Sequence, residues 1–197
     1  TPPRRDGLKK VLSAIDASIA AGYTPLKLNC VIMRGTNDDE VLDFARLSLE
    51  KPIDVRFIEY MPFDDNGWAQ KLMVPSAQLL QQIEAHLPGL QRVHTDKHDV
   101  ARTYAYPGAA GSLSFISSMT EPFCGGCNRI RLTADGNLKV CLFGASEISL
   151  RDAMRHGASD AELLGLVSSA LHRKLPRHAG MHNIAATKNR PMTTIGG

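Results

Sequence analysis

Apolar residues recur along the first half of the chain with two periods, and the periods alternate. Leu8, Val11, Leu12, Ile15 and Ile19 fall three and four residues apart, which sets them on one face of a helix, and Gly22 stands where a C-cap glycine would end it. Pro25-Leu-Lys-Leu-Asn-Cys-Val-Ile-Met33 is apolar at nearly every position after Asn29 and reads as a strand buried on both faces of a parallel sheet. Asn37, with Glu40 three residues on, has the spacing of a capping box and predicts a helix through about Leu49. Ile53–Tyr60 is the next strand, and Ser76 is placed to cap a helix reaching about His86. Helix, strand, helix, strand, helix in short succession predicts a βα architecture with parallel strands. Two or three such strands leave an edge unpaired and a face bare, so the pattern predicts that the N-terminal part of a larger α/β barrel is missing from this chain.

The second half changes character. Residues 101–106 and 111–117 read as strands joined by a Pro-Gly turn, and the second leads directly to a group of cysteines. Arg129–Leu132 and Leu138–Phe143 flank Asp135-Gly136, a hairpin signal. Ser159 with Glu162 caps a last helix to about Arg173.

Composition narrows the picture little. With 197 residues, 43% hydrophobic and 22% charged, the chain has an ordinary globular composition. No apolar stretch reaches the roughly 18 residues of a membrane helix, so no membrane partner is expected. Thr1-Pro-Pro-Arg-Arg5 is not a secretory signal, and a chain that begins without methionine fits a processed product or a fragment. The net charge of +3 is uneven: Arg173, Lys174, Arg177, Lys188 and Arg190 lie between Leu171 and Gly197 with no acid among them, which favours an anionic partner or solvent.

Cys124, Cys127 and Cys141 carry the chemistry. A Cys-x-x-Cys pair puts two thiolates on one tight turn, and a third arrives from beyond the hairpin. Cys30, the fourth, sits far upstream in an apolar run and reads as a buried small hydrophobe. Three thiolates suit either an iron–sulfur cluster with one iron left open or a zinc site completed by a histidine, and both imply a reducing compartment. A three-residue hairpin loop, Ala134-Asp135-Gly136, pairs Thr133 with Asn137 and sets Cys141 opposite Arg129, with Arg131 on the same face; a two-residue turn sets Cys141 opposite Ile130. Two arginines beside thiolates suit an anionic, planar ligand such as a nucleotide. Glu59, at a strand end, reads either as a catalytic carboxylate or as a structural ion-pair partner. His178 and His182 are separated by Gly180, which argues against a shared helical face for metal ligation.

The run Phe123–Gly136 with Leu138–Phe143 resembles the C-terminal cluster motif of MoaA-type GTP 3′,8-cyclases, the radical S-adenosylmethionine enzymes that begin molybdenum cofactor synthesis. Leu26–Gly35, Asp54–Pro62, Ala179–Met181, Asn189–Met192 and the terminal Gly-Gly match the family in the same order. The resemblance implies that Cys124, Cys127 and Cys141 hold a 4Fe–4S cluster whose open iron binds GTP. It implies that Arg129, Ile130, Arg131 and Lys27 line the GTP site, that Met61 contacts S-adenosylmethionine, and that Gly196 and Gly197 belong to a tail inserted toward the active site. Residues 1–100 then form the C-terminal half of the radical S-adenosylmethionine α/β barrel, and residues 101–197 a cluster- and GTP-binding region with a hairpin and a helical extension. The family's N-terminal Cys-x-x-x-Cys-x-x-Cys motif, which holds a second 4Fe–4S cluster, is absent here, so this chain by itself would not start the radical reaction. The resemblance further implies a homodimer, a downstream cyclic pyranopterin monophosphate synthase, and a mitochondrial matrix location in a eukaryote or a cytoplasmic one in a bacterium. The rival reading is a structural-zinc module with a basic tail on nucleic acid; it lacks a second close ligand pair, and aromatics make up only 6% of the chain, so no nucleic-acid partner is expected.

Overall fold

β1 (Leu26–Ile32) runs parallel to β2 (Ile53–Glu59), and the chain between them forms the helix α2 (Val41–Glu50). The computed structural model describes residues 7–195 and divides into two compact units. The first gathers the residues through Glu59 with Val74–Asp96 and Ala101–Ser117; the second gathers Tyr60–Met73, Lys97–Val100 and the residues from Ser118 on.

In the first unit, α1 (Leu8–Ala20) precedes β1 and α3 (Ser76–His86) follows β2. The chain then forms β3 (Gln91–Arg92), β4 (Arg102–Ala105) and β5 (Ser112–Ile116), giving a five-stranded sheet in the order β1-β2-β5-β4-β3. β5 is parallel to β2 and antiparallel to β4, so the predicted parallel α/β core is present, with antiparallel strands added on one side. Ile53, Val55 and Phe57 of β2 are fully buried. Phe57 packs on Phe115 and edge-on to Phe44 of α2, with ring centroids 5.7 and 6.4 Å apart.

Three sequence expectations are corrected here. β1 is not buried on both faces: it lies at the sheet edge, and Lys27, Asn29 and Val31 are exposed while Leu26, Leu28 and Cys30 turn toward the core. Burial of both faces needs an element packed on each, and only the side bearing Leu26, Leu28 and Cys30 packs on the core. Asn37 does not cap α2. The chain makes a tight turn after β1, and Asn37 pins it by accepting from Met33 N at 2.8 Å and donating to Val31 O at 3.0 Å, too far upstream to reach the amides of a helix starting at Val41. Ser76 does not cap α3 either, because it is already the first helical residue. Its N–H is met by the Glu59 carboxylate at 2.9 Å, so a buried acid at the end of β2 serves the helix N-terminus. Gly22 acts as predicted: its N–H and that of Tyr23 return to Ile19 O and Ser18 O, a Schellman end for α1. Of the apolar face of α1, Ile15 is buried and Ile19 packs on the core, whereas Leu8, Val11 and Leu12 are exposed.

The second unit is built on a small antiparallel sheet, β6 (Arg131–Leu132), β7 (Asn137–Lys139) and β8 (Ile148–Ser149) in that order. The helices α4 (Leu150–Arg155), α5 (Asp160–His172) and α6 (Met181–Ala186) follow. α5 opens with the predicted capping box: Ser159 Oγ accepts from Glu162 N, and the Glu162 carboxylate accepts from Ser159 N. A second apolar cluster in this unit comprises Met73, Met119 and Ile184, with Met61, Phe143 and Met181 against it. Among the described residues no helix is long and apolar enough to cross a membrane.

Candidate metal and nucleotide site

Cys124, Gly125 and Gly126 make one 3-10 turn, closed by Cys127 N donating to Cys124 O at 3.0 Å. The turn is pressed on a short segment from earlier in the chain. His98 Nδ1 donates to Gly126 O at 2.7 Å, and a Cβ built at Gly126 would lie 2.2 Å from Lys97 O. Arg129 Nη1 in turn donates to His98 O at 3.2 Å, so the Lys97–His98 segment and the strand leading out of the turn hold each other.

The hairpin adopts the three-residue loop. Thr133 N donates to Asn137 O at 2.9 Å, Gly136 has φ +79°, and Arg131 pairs with Lys139. Carried two residues further, this register sets Cys141 opposite Arg129; regular pairing stops before that pair, and Cys141 is exposed. The residues after it are anchored, Leu142 O by Asn189 Nδ2 and Phe143 by stacking on Phe63.

The loop is braced by a polar network. Arg190 donates to Asp135 Oδ2 at 2.8 Å and to both Glu147 oxygens at 2.6 and 2.7 Å. Lys139, whose side chain is fully buried, donates to Gly144 O at 2.6 Å and Glu147 Oε1 at 3.3 Å. Thr133 Oγ1 donates to Asp135 Oδ1. Asp135 is thereby lowered to about 2, chiefly by Arg190 and then by Thr133. For Glu147, burial pushes upward, but the bonds from Arg190, Asn137 and Lys139 outweigh it and hold the carboxyl below its ordinary range.

The two thiols with resolved shifts differ. Burial, and after it the Glu40 charge, pushes the Cys30 thiol up to about 11; the residue lies in a strand as expected, but half-buried. Burial also pushes Cys127 up, but the Arg129 backbone N–H and the Lys174 ammonium together outweigh it, and the thiol titrates below its ordinary value. Lys174 Nζ is 3.5 Å from Cys127 Sγ and 2.6 Å from Arg129 O.

The predicted residues are therefore only partly brought together. Cys124 and Cys127 share one turn, and Arg129, Ile130 and Arg131 continue from it, with Ile130 exposed. Met61 lies just past β2, packed on the methionine cluster of the second unit. Lys27 is exposed on β1 in the first unit. Gly196 and Gly197 lie outside the described residues. Among the described residues no three Cys, His, Asp or Glu side chains converge as a metal-holding group. His178 and His182 do not share a helix, since α6 starts after Gly180; His178 Nε2 donates to Ser118 O at 3.0 Å. Of the basic stretch, Lys174 and Arg190 turn inward onto protein acceptors. Their sequence signal was charge without position. The donor set nevertheless suits a thiolate-bound cluster in its chemistry: three reduced thiols, one of them beside a cation and the Arg129 backbone amide.

Residues 53–180 match the family described as Molybdenum Cofactor Synthesis C. The chain is 54% identical over 193 residues to molybdenum cofactor biosynthesis protein 1 of Mus musculus, covering 98% of this chain and 30% of that protein. It is 53% identical over 194 residues to the protein named GTP 3′,8-cyclase, mitochondrial, of Arabidopsis thaliana, covering 98% and 50%. It is 40% identical over 195 residues to GTP 3′,8-cyclase of Syntrophomonas wolfei, covering 98% and 60%. The chain thus spans between 30% and 60% of the length of these relatives.

Proposed function

The chain belongs to the Molybdenum Cofactor Synthesis C family, and from that premise we propose that it is part of a GTP 3′,8-cyclase, acting in the first step of molybdenum cofactor synthesis. The observation that carries the proposal is continuity. The turn bearing Cys124 and Cys127 runs within two residues into Arg129, Ile130 and Arg131, and the Arg131–Lys139 register, continued two residues past the end of regular pairing, would bring Cys141 opposite Arg129.

Cys124, Cys127 and Cys141 would hold a 4Fe–4S cluster. When bound, such a cluster would supply a coordination site for the substrate's base, and S-adenosylmethionine with a second cluster would supply the radical chemistry of the complete enzyme. The chain's own residues bind and orient. Arg129 and Arg131 meet phosphate oxygens with planar forks, Ile130 supplies an apolar contact, and Lys27 acts as a compact point charge on the same nucleotide. Met61 contacts S-adenosylmethionine, and Gly196 and Gly197, outside the described residues, are assigned by the resemblance to the same active site. Holding GTP in one pose and excluding other hydrogen donors is the protein's contribution to the rate.

Residues 1–100 are read as the C-terminal half of a radical S-adenosylmethionine barrel and residues 101–197 as its cluster- and GTP-binding extension. The open edge at β1 supports this, since a barrel would continue there. A homodimer, transfer of the product to a cyclic pyranopterin monophosphate synthase, and a mitochondrial matrix or bacterial cytoplasmic location complete the reading.

Anaerobic reconstitution with iron and sulfide tests it. About four irons per chain and a reduced-state EPR spectrum perturbed by GTP are the result expected. One tightly held zinc with no cluster, and indifference to GTP, would replace the reading with the structural-zinc module.

A further inference from the structure

Lys174 follows the last turn of α5, where a lysine ordinarily extends into water or returns to its own helix's carbonyls. It does neither. Leu171–Arg173 and Leu175–Arg177 are exposed, while Lys174 is half-buried and crosses to a segment 47 residues away, where its ammonium lies 3.5 Å from Cys127 Sγ. The same nitrogen donates to Arg129 O at 2.6 Å, a charge-assisted bond that fixes its position and offsets the freedom lost by a long side chain. The Arg129 guanidinium donates to the His98 carbonyl and acts on Cys127 only through its charge, after Lys174.

We infer that Lys174 is a positioning residue of the cysteine turn, and that its ammonium sets the electron affinity of the cluster bound there. The inference rests on the cluster reading given above. Two effects follow from one nitrogen. Its bond to Arg129 O fixes the peptide that joins the turn to the nucleotide-contacting residues. Its charge beside Cys127 offsets the negative charge that thiolates and sulfides gather. One-electron reduction makes a cluster more negative by one charge, so a fixed cation within hydrogen-bonding reach of a ligand sulfur favours the reduced state and raises the potential. No proton needs to move in this account; the electron comes from an external one-electron donor.

The test uses the full chain, reconstituted anaerobically with ferrous iron and sulfide and titrated with dithionite under EPR detection. Lys174→Gln keeps a donor for Arg129 O but removes the charge. It is expected to load iron like the parent while its midpoint potential shifts to a more negative value. Lys174→Arg keeps charge and donor and should hold the parent potential; Lys174→Met loses both and should lose part of its iron as well. A purely structural lysine would alter iron content and leave the potential of the loaded fraction unmoved. Full loading of Lys174→Gln at the parent potential, or an equal downward shift in Lys174→Arg, would overturn the inference while the cluster reading stands. A parent chain that takes up no cluster would overturn both.

Discussion

Two adjacent glycines in the cysteine turn face opposite fates on substitution. A Cβ at Gly126 meets Lys97 O at 2.2 Å, and that neighbour is backbone, whereas at Gly125 nothing lies within 4 Å. Gly126→Ala is therefore expected to cost about 1–3 kcal/mol through overpacking, and Gly125→Ala to stay within about 0.5 kcal/mol, as read by urea denaturation. Equal effects would contradict the close approach of the Lys97–His98 segment. Glu59 gives a second contrast. Glu59→Ala removes the acceptor for Ser76 N and should destabilise by about 1–2 kcal/mol, the usual cost of a lost cap, while Glu59→Gln retains an oxygen there and should cost less; thermal melts of the pair decide it. At this scale the sequence displays the reactive groups and conceals their partners. Cys124 and Cys127 announce themselves by spacing, but nothing near Lys174 in the chain points to a thiol 47 residues away, and Glu59 is separated by 17 residues from the amide it meets.

The hairpin is braced by charge. Asp135 and Glu147 both release protons more readily in the folded chain than in the unfolded one, Asp135 falling from 3.8 to about 2. The unfolded state therefore binds more protons in acid. The stability these groups contribute is complete above about pH 4–5 and is lost as the pH falls toward about 2. Denaturation midpoints measured near pH 6 and near pH 3 should differ in the parent chain and differ less in Asp135→Asn. Glu147 lies between Arg190 and the fully buried Lys139, so Glu147→Ala strands a buried ammonium and should cost about 3 kcal/mol, the lower end for breaking such a pair; equilibrium unfolding in urea checks the value. The hairpin loop was legible because Asp135-Gly136 signals a turn and only two registers compete. The caps of α2 and α3 were not, because Asn37 and Ser76 have the right chemistry one turn or one residue away from where a cap must stand.

For the whole molecule, the alternation of helices and strands was enough to predict a parallel α/β core, and the parallel pairs β1–β2 and β2–β5 bear that out. What periodicity does not encode is a strand's place in the sheet. The apolar run in β1 resembles the interior strand β2, yet among the described residues β1 has a neighbour on one side only. The order of a sheet is decided by chain segments far apart, so a local pattern reports what a strand tolerates more than where it lies. That open edge has a practical consequence in solution. Among the described residues no strand pairs with the outer side of β1, and that edge, with exposed Val31 on it, invites another copy to pair there; Lys27, the second residue of the strand, is the charge that opposes such pairing. Light scattering from the chain should climb with concentration, and it should climb faster after Lys27→Ile, so the same lysine that is proposed to greet a nucleotide also keeps the polypeptide dispersed.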